Sequence, residues 1–380
     1  MVQTSLIDPR VALAHDFFVQ DGGAERCAVE LAGLVPTAPV YTTFFDNERF
    51  GARIAPARVR TWPLQRLVGP TKRFRWFLPL YPLWFSALDL SHAELVISSS
   101  IAFAKAVRVS PMATHVSYVY TPMRYAWDLD AYLDRSSFRL PARMASRTVR
   151  PVLKAWDRRT GRSPDVLVAI SEEVRRRIRR LWGRDARVIY PPVDVTEFPL
   201  ASGDDGYYLV AARLLAYRRI DLAIEACRRL GRELIVVGDG PERAALERQA
   251  AGAPISFLGH VERSELVRLF SRCRAYLLTG VEDFGIAPLE AAAAGKPVIA
   301  FRSGGALETV RDTQTGVFFE AQDAGSLAAA IERAESMEFD PGQLRAHAER
   351  FDRSVFVKRW RDLLTELDVG GTFAAVANGA

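Results

Sequence analysis

The chain has 380 residues, near two average domains and too many for one ordinary core. Hydrophobic residues make up 49% of it and charged residues 25%. That composition excludes disordered and fibrous chains, no segment reaches the roughly 18 consecutive apolar residues of a membrane span, and the net charge of +6 suits nucleotide phosphates, anionic lipid or nucleic acid without choosing among them.

Met1 to Arg10 lacks the basic-then-apolar layout of an export signal, so export is not expected. Arg10 to His15 reads as a first strand, Gly22-Gly23-Ala24-Glu25 as a turn, and Cys27 to Leu34 as the helix after it. Leu95–Ile97, His115–Tyr118 and Val166–Ile170 read as further buried strands. Val188 to Val193 is apolar but broken by Pro191 and Pro192, which stop both helix and central strand. Ala201 to Gly206, small and acidic, is the expected interdomain linker. The pattern then restarts: strands at Tyr207–Ala211, Glu233–Val237, Ile255–Leu258, Ala275–Leu278 and Pro297–Ala300, with helices at Ile220–Leu230, Arg263–Cys273 and Pro288–Ala294 between them. Strands alternating with helices predict parallel sheets covered on both faces, with ligands at the carboxyl ends of the strands. Two such units leave a cleft, a favoured place for a small molecule. Cys27, Cys227 and Cys273 are too scattered for a disulfide framework or a metal spacing, which predicts a reducing cytoplasm.

Gly280 to Ala300 carries the most chemistry. A loop holding Glu282 and Gly285 follows a strand, and Pro288 sits near the first turn of the next helix, which places Glu290 in that turn. A helix N-terminus presents free N–H groups and a positive dipole end to a diphosphate. Gly285 allows the backbone to approach a ligand, and a carboxylate can accept two hydrogen bonds from a vicinal diol such as a ribose. Glu290 taken alone also reads as an acid balancing the helix dipole. Upstream, Arg213 and Arg218 span a strand-to-helix turn and can clamp a diphosphate, with Arg219 able to share the task.

The spacing of Glu282 and Glu290 matches the E-x7-E motif of family 4 glycosyltransferases. Glu-Asp-Phe-Gly-Ile-Ala-Pro-Leu-Glu, then Ala-Gly-Lys-Pro-Val-Ile-Ala and Gly304-Gly305-Ala-Leu-Glu308-Thr-Val, resembles their mannosyltransferase branch of surface-polysaccharide assembly. The likeness runs over roughly residues 10 to 365. It implies an α/β protein of GT-B fold, two Rossmann-like doubly wound parallel-sheet domains facing a central cleft. Residues 1–200 would form the acceptor-side domain and 201–365 the nucleotide-sugar domain, with a last helix at 354–367 crossing back and a fraying tail at 368–380. It implies that Glu290 holds the donor ribose and that Glu282, Arg213 and Arg218 are catalytic. Glu282 would contact the transferred sugar. The amides of Phe284, Gly285 and Ile286 would face the sugar and phosphates, Gly22 and Gly23 would lie beside the donor phosphates and the acceptor, and Val261 would meet the base. Arg218 stands where the family usually has lysine, which changes the phosphate geometry.

Ser98 to Lys105 and Tyr118 to Asp128 resemble the N-domain motifs of the same branch, with Ile101 and Tyr120 where relatives carry histidine. Tyrosine is a poor base at neutral pH, so Tyr120 and Arg124 are expected as acceptor or sugar contacts only. His15 and Asp16 are further candidates, and a packing histidine is the alternative for His15. Asp128-Leu-Asp130 reads as a chance match to a metal motif; no metal and no cofactor are expected beyond the nucleotide-sugar substrate. Gly22-Gly23 also reads as an ordinary turn, and Gly238-Asp-Gly240 is a weak phosphate-loop candidate. Arg58 to Phe85 mixes cations with aromatic rings, which suits either an anionic bilayer surface holding a polyprenyl-diphosphate acceptor or plain core packing. No nucleic-acid module accompanies it.

The expected activity is retaining, metal-independent hexosyl transfer, with GDP-mannose favoured by the branch. A lipid-linked or glycan acceptor is expected, in the cytoplasm or at the inner face of the cell membrane. The alternatives are a degenerate nucleotide-sugar-binding protein and another GT-B enzyme such as an epimerase.

Overall fold

In the computed structural model the described residues are 8–69, 72–128, 140–200, 203–367 and 373; the side chains of 72, 73, 75 and 140–148 are not described. The chain divides into two compact units. One draws on Met1–Trp127, Met144–Pro191 and Phe356–Ala380, the other on Asp128–Arg143 and Pro192–Val355. The changeover thus falls between Pro191 and Pro192, ahead of the 201–206 stretch that composition singles out.

The first unit holds a seven-stranded sheet. Its strands are β1 (Val11–His15), β2 (Val40–Thr42), β3 (Val59–Thr61), β4 (Leu95–Ser100), β5 (Thr114–Val119), β6 (Val166–Ala169) and β7 (Arg187–Val188). All pairings are parallel, in the order β3-β2-β1-β4-β5-β6-β7. β1 and β4 are buried at every position, as befits strands covered on both faces. Helices α1 (Gly23–Leu34), α2 (Tyr81–Ala87), α3 (Leu140–Thr160) and α4 (Glu172–Trp182) accompany it. The arginine run of α4 is tied to its surroundings: Arg175 and Arg179 both clamp Asp185, and Arg177 donates to Thr121. β2, β3 and β7 are only two or three residues long, too short for a periodic signal.

The second unit repeats the scheme. Its strands are β8 (Tyr208–Ala211), β9 (Leu234–Val237), β10 (Ile255–Gly259), β11 (Ala275–Leu278), β12 (Val298–Phe301) and β13 (Gly316–Phe319), parallel in the order β10-β9-β8-β11-β12-β13. Its helices are α5 (Ile220–Leu230), α6 (Arg243–Ala250), α7 (Arg263–Arg272), α8 (Ile286–Ala293), α9 (Ala324–Glu335) and α10 (Pro341–Glu349). The core joins the apolar strand residues to the inner face of α5 (Ile220, Ala223, Ile224, Cys227) and of α9 (Leu327, Ile331). The last helix, α11 (Arg353–Glu366), belongs to the first unit from Phe356 onward, where the Phe356 and Trp360 rings pack on Tyr118. Apart from Phe373, the tail lies outside the described residues.

A buried polar knot holds the first unit. Lys105 Nζ meets Asp157 Oδ1 at 2.9 Å with both side chains essentially excluded from water. The other carboxylate oxygen accepts from the indole N–H groups of Trp127 and Trp182, at 2.7 and 2.8 Å. Removing one partner of such a pair leaves an uncompensated charge in the interior. Lys105→Ala is therefore expected to cost about 3–5 kcal/mol of stability, read as a shifted midpoint in denaturant unfolding; a loss under about 1 kcal/mol would contradict the buried pair.

Candidate functional site

In a doubly wound sheet the strand order reverses at one point, and the loops leaving the two strands there splay apart to make a crevice. In the second unit that point lies between β8 and β11. The loop after β8 carries Arg213 and Arg218, and the loop after β11 carries Glu282, Phe284 and Gly285 before α8 begins at Ile286. Arg218 and Glu282 form an ion pair with each side chain 19% exposed. Arg213 is exposed, and among the described residues its side chain has no hydrogen bond or ion pair. Arg219 adopts a left-handed conformation (φ 52°) and turns to Asp221, so it does not join Arg218.

The two loops touch through their backbones. A Cβ at Gly280 would lie 2.6 Å from the Tyr217 carbonyl oxygen and 2.7 Å from Arg218 Cα. The Thr279 hydroxyl donates to the Arg218 carbonyl at 2.8 Å. On the far side, Gly305 N–H donates to the Glu282 carbonyl at 2.8 Å, and a Cβ at Gly304 would lie 2.5 Å from that same oxygen. Gly304 and Gly305, read in the sequence only as part of a resemblance, therefore fix the Glu282 loop. The Gly238–Gly240 turn is explained by packing too, against the carbonyls of Ala212 and Leu214.

Helix α8 starts from Gly285, whose φ of 96° suits glycine, and no side chain caps it. Its first-turn N–H groups are thus open to an anion. Glu290 is the fifth helical residue, one step beyond the first turn in which the sequence places it. Its side chain is 8% exposed and pairs with Arg263 at 2.7 Å. Glu282 and Glu290 thus share an element boundary but meet different arginines. Phe284 is buried against Phe351, so its ring is core. Val261, partly buried, lies in the turn between β10 and α7.

The switch point of the first unit lies between β1 and β4, and the N-terminal candidates gather there. The Asp16 carboxylate, fully buried, accepts from the amides of Ala102, Phe103 and Ala104 at 2.6, 3.1 and 2.5 Å. Burial pushes its pKa up to about 6 against those bonds. This commits Asp16 to holding the loop after β4. The Tyr120 hydroxyl donates to the Ala24 carbonyl at 2.8 Å and contacts Ser99 Oγ at 2.9 Å, and Ser99 in turn meets His15 Nδ1 at 3.0 Å. Since tyrosine spends its one proton on Ala24, Ser99 donates to Tyr120 and His15 Nδ1 carries the proton toward Ser99. His15 Nε2 is then a bare acceptor, buried without a partner among the described residues, and burial lowers the ring pKa to about 4. Arg124, half-buried, opens the short helix Arg124–Trp127.

Sequence reasoning passed over Glu25. Gly22 is the N-cap residue of α1, Gly23 its first residue, and Glu25 curls back over the cap. A Cβ at Gly22 would sit 2.6 Å from Glu25 Oε2, so the first glycine makes room for this carboxyl. The signal was present: a glutamate three residues after an N-cap is half of a capping box. Among the described residues Oε1 is buried without a partner, and burial pushes the carboxyl up to about 8.

The 58–85 segment divides. Phe74, Tyr81 and Phe85 are core, and Trp62, Phe77 and Trp84 pack against it, whereas Leu67, Trp76, Leu80 and Leu83 are exposed. Arg58 is no surface cation: it donates to the carbonyls of Ala32, Val35 and Ala38 at the end of α1. Asp130 of the Asp128–Asp130 pair lies outside the described residues. Among the described residues no helix is long and apolar enough to cross a membrane.

Residues 21–197 match the model for Glycosyltransferase Family 4, and residues 196–353 match that for Glycosyl transferases group 1. A glycogen synthase of Mycobacterium tuberculosis is 33% identical over 208 residues, covering 50% of each chain. A GDP-mannose-dependent alpha-(1-6)-phosphatidylinositol monomannoside mannosyltransferase of Mycolicibacterium smegmatis is 30% identical over 213 residues, 48% of this chain and 56% of that one. The chain spans about half the length of the curated relatives it matches. Among solved structures, Anabaena HepE in complex with UDP superposes with a TM-score of 0.68 at 18% identity, over 94% of this chain and 100% of that one. A sucrose-phosphate synthase from Thermosynechococcus elongatus superposes at 0.65 and 16% identity, over 94% and 98%.

Glu25 gives a pH test of this geometry. Its folded pKa of about 8 stands above the ordinary 4.5, so at neutral pH the folded chain holds a proton that the unfolded chain has released. Its contribution is complete below about pH 4.5 and is lost as pH rises through 8. His15 and Asp16 titrate below this upper range in the folded chain, at about 4 and 6. Between pH 6.5 and 8 the melting temperature of the wild type is expected to fall relative to that of Glu25→Gln as pH rises, the histidine contributions being common to both proteins. Parallel curves for the two proteins would show that the carboxyl is not buried as described.

Proposed function

We propose that this chain, a member of the family 4 glycosyltransferases built on the GT-B fold, transfers a sugar from a nucleotide-diphosphate donor to a hydroxyl acceptor. The observation that carries the reading is the meeting of Arg218 and Glu282 at the switch point of the second sheet, beside an uncapped helix N-terminus. Open amides of α8 and the guanidinium groups of Arg213 and Arg218 suit a diphosphate and the charge that grows on it as the glycosidic bond breaks. With two cations in that role, the reaction is proposed to run without a metal. Glu290 takes the ribose diol and Glu282 the transferred sugar.

Retention of configuration follows if the departing phosphate itself takes the acceptor proton on the same face of the sugar. No protein base is then required. This accords with a Tyr120 hydroxyl spent on Ala24 and a His15 ring held neutral. GDP-mannose is the proposed donor, because several similar proteins are named as GDP-mannose-dependent mannosyltransferases. Those names also specify phosphatidylinositol mannosides, which supports a lipid-linked acceptor in surface-polysaccharide assembly on the cytoplasmic side of the membrane. Exposed Leu67, Trp76, Leu80 and Leu83 supply apolar area for that surface.

Three measurements test the reading. GDP-mannose at 100 times its Kd should stabilise the fold by about 2.7 kcal/mol; a screen in which no nucleotide sugar raises the melting temperature sinks the proposal. Glu282→Ala should nearly abolish transfer, and Arg218→Ala should lower kcat by about 10²–10³. Wild-type turnover in Glu282→Ala refutes its role, and donor binding with neither hydrolysis nor transfer points to a binding protein instead. Trp76→Ala combined with Leu83→Ala should weaken sedimentation with phosphatidylglycerol vesicles by about tenfold or more, and unchanged sedimentation removes the membrane contact.

A further inference from the structure

Arg263 opens α7, where the positive end of the helix dipole disfavours a cation. It is held there all the same. Nη1 donates to Glu290 Oε1 at 2.7 Å, Nε donates to Glu197 Oε2 at 2.9 Å, Nη2 reaches that same Glu197 oxygen, and the guanidinium carbon lies 5.0 Å from the centre of the Phe198 ring. The segment carrying Glu197 and Phe198 is itself braced by Arg345, which donates to the carbonyls of Phe198 and Val195 at 2.7 and 3.2 Å. One planar cation thus joins two carboxylates. The Glu290 side chain is the buried one at 8% exposed, against 39% for Glu197. A buried carboxylate needs a cation and a defined geometry, and a guanidinium supplies both through its rigid fork.

We propose that Arg263 is a positioning residue: by holding one oxygen of Glu290 it fixes the rotamer with which that carboxylate receives the vicinal hydroxyls of the donor ribose. Glu197 anchors the arginine from the other side, so the fork does not swing with the ligand. The inference rests on the reading of Glu290 as the ribose-binding group, and the test separates the two.

The experiment measures Kd by calorimetry for GDP, UDP and their 2′,3′-dideoxy forms on the full chain. The wild type should bind the ribose form of its preferred nucleotide about tenfold or more tightly than the dideoxy form, as expected for hydrogen bonds to a charged group. In Arg263→Ala this ratio should fall below about threefold, while the dideoxy Kd stays within about threefold of wild type. A merely structural arginine would lower the melting temperature and leave the ratio unchanged, which overturns the proposal. If Arg263→Ala does not fold, Arg263→Lys keeps the charge without the fork, and its ratio should drop by about threefold; an unchanged ratio again overturns the proposal. A wild type that binds ribose and dideoxy forms equally, or neither, overturns the ribose reading of Glu290 and this inference with it.

Discussion

Arg218 and Glu282 can pair only because the backbones behind them touch. Gly280 is laid against the Arg218 backbone, and Gly304 and Gly305 are laid against the loop that carries Glu282. A methyl group at Gly280 would meet main-chain atoms at 2.6 Å, and one at Gly304 would meet the Glu282 carbonyl at 2.5 Å. Neither neighbour is a flexible side-chain end that could move aside. The close approach fixes where the carboxylate leaves the backbone, and with it the relation of the ion pair to the first turn of α8. The positive φ of Gly285 then aims that turn. Charge placement in the second unit therefore depends on the absence of side chains at a few positions.

The two sheets share one strand order up to their last strand, and their switch points are finished differently. In the first unit the crevice is filled with hydrogen bonds: Asp16 takes three amides, and the Ala24 carbonyl is joined through Tyr120 and Ser99 to His15. In the second unit the same place holds an exposed arginine, a half-buried ion pair and an uncapped helix. The first arrangement sets a backbone turn in place. The second offers charge and donors that a phosphate group can take over.

Much of this was legible in the residues. Buried parallel strands announce themselves as unbroken apolar runs, which is why β1, β8, β9, β11 and β12 could be read directly, and the Glu282–Glu290 spacing placed the loop and its helix. Other features had no local signal. Strands of two or three residues, such as β2 and β7, exist because the neighbouring strand supplies a partner, and no sequence period records that. The pairing of Glu290 with Arg263 joins residues 27 positions apart, and its carboxylate falls one helical step later than proline placement suggests. Arg58, read as a surface cation, turns inward because the end of α1 leaves carbonyls in its reach. The carboxyl of Asp16 reads as a ligand contact in sequence, and only the fold brings it to the amides of a loop more than eighty residues away.

The most direct test of the central claim is a structure of the chain soaked or co-crystallised with GDP-mannose. The diphosphate is expected at the first turn of α8, within hydrogen-bond reach of the Gly285 and Ile286 amides and of Arg218, with Glu282 turned from that arginine toward the sugar. A nucleotide found elsewhere, with Arg218 and Glu282 still paired and no phosphate at that turn, would contradict it.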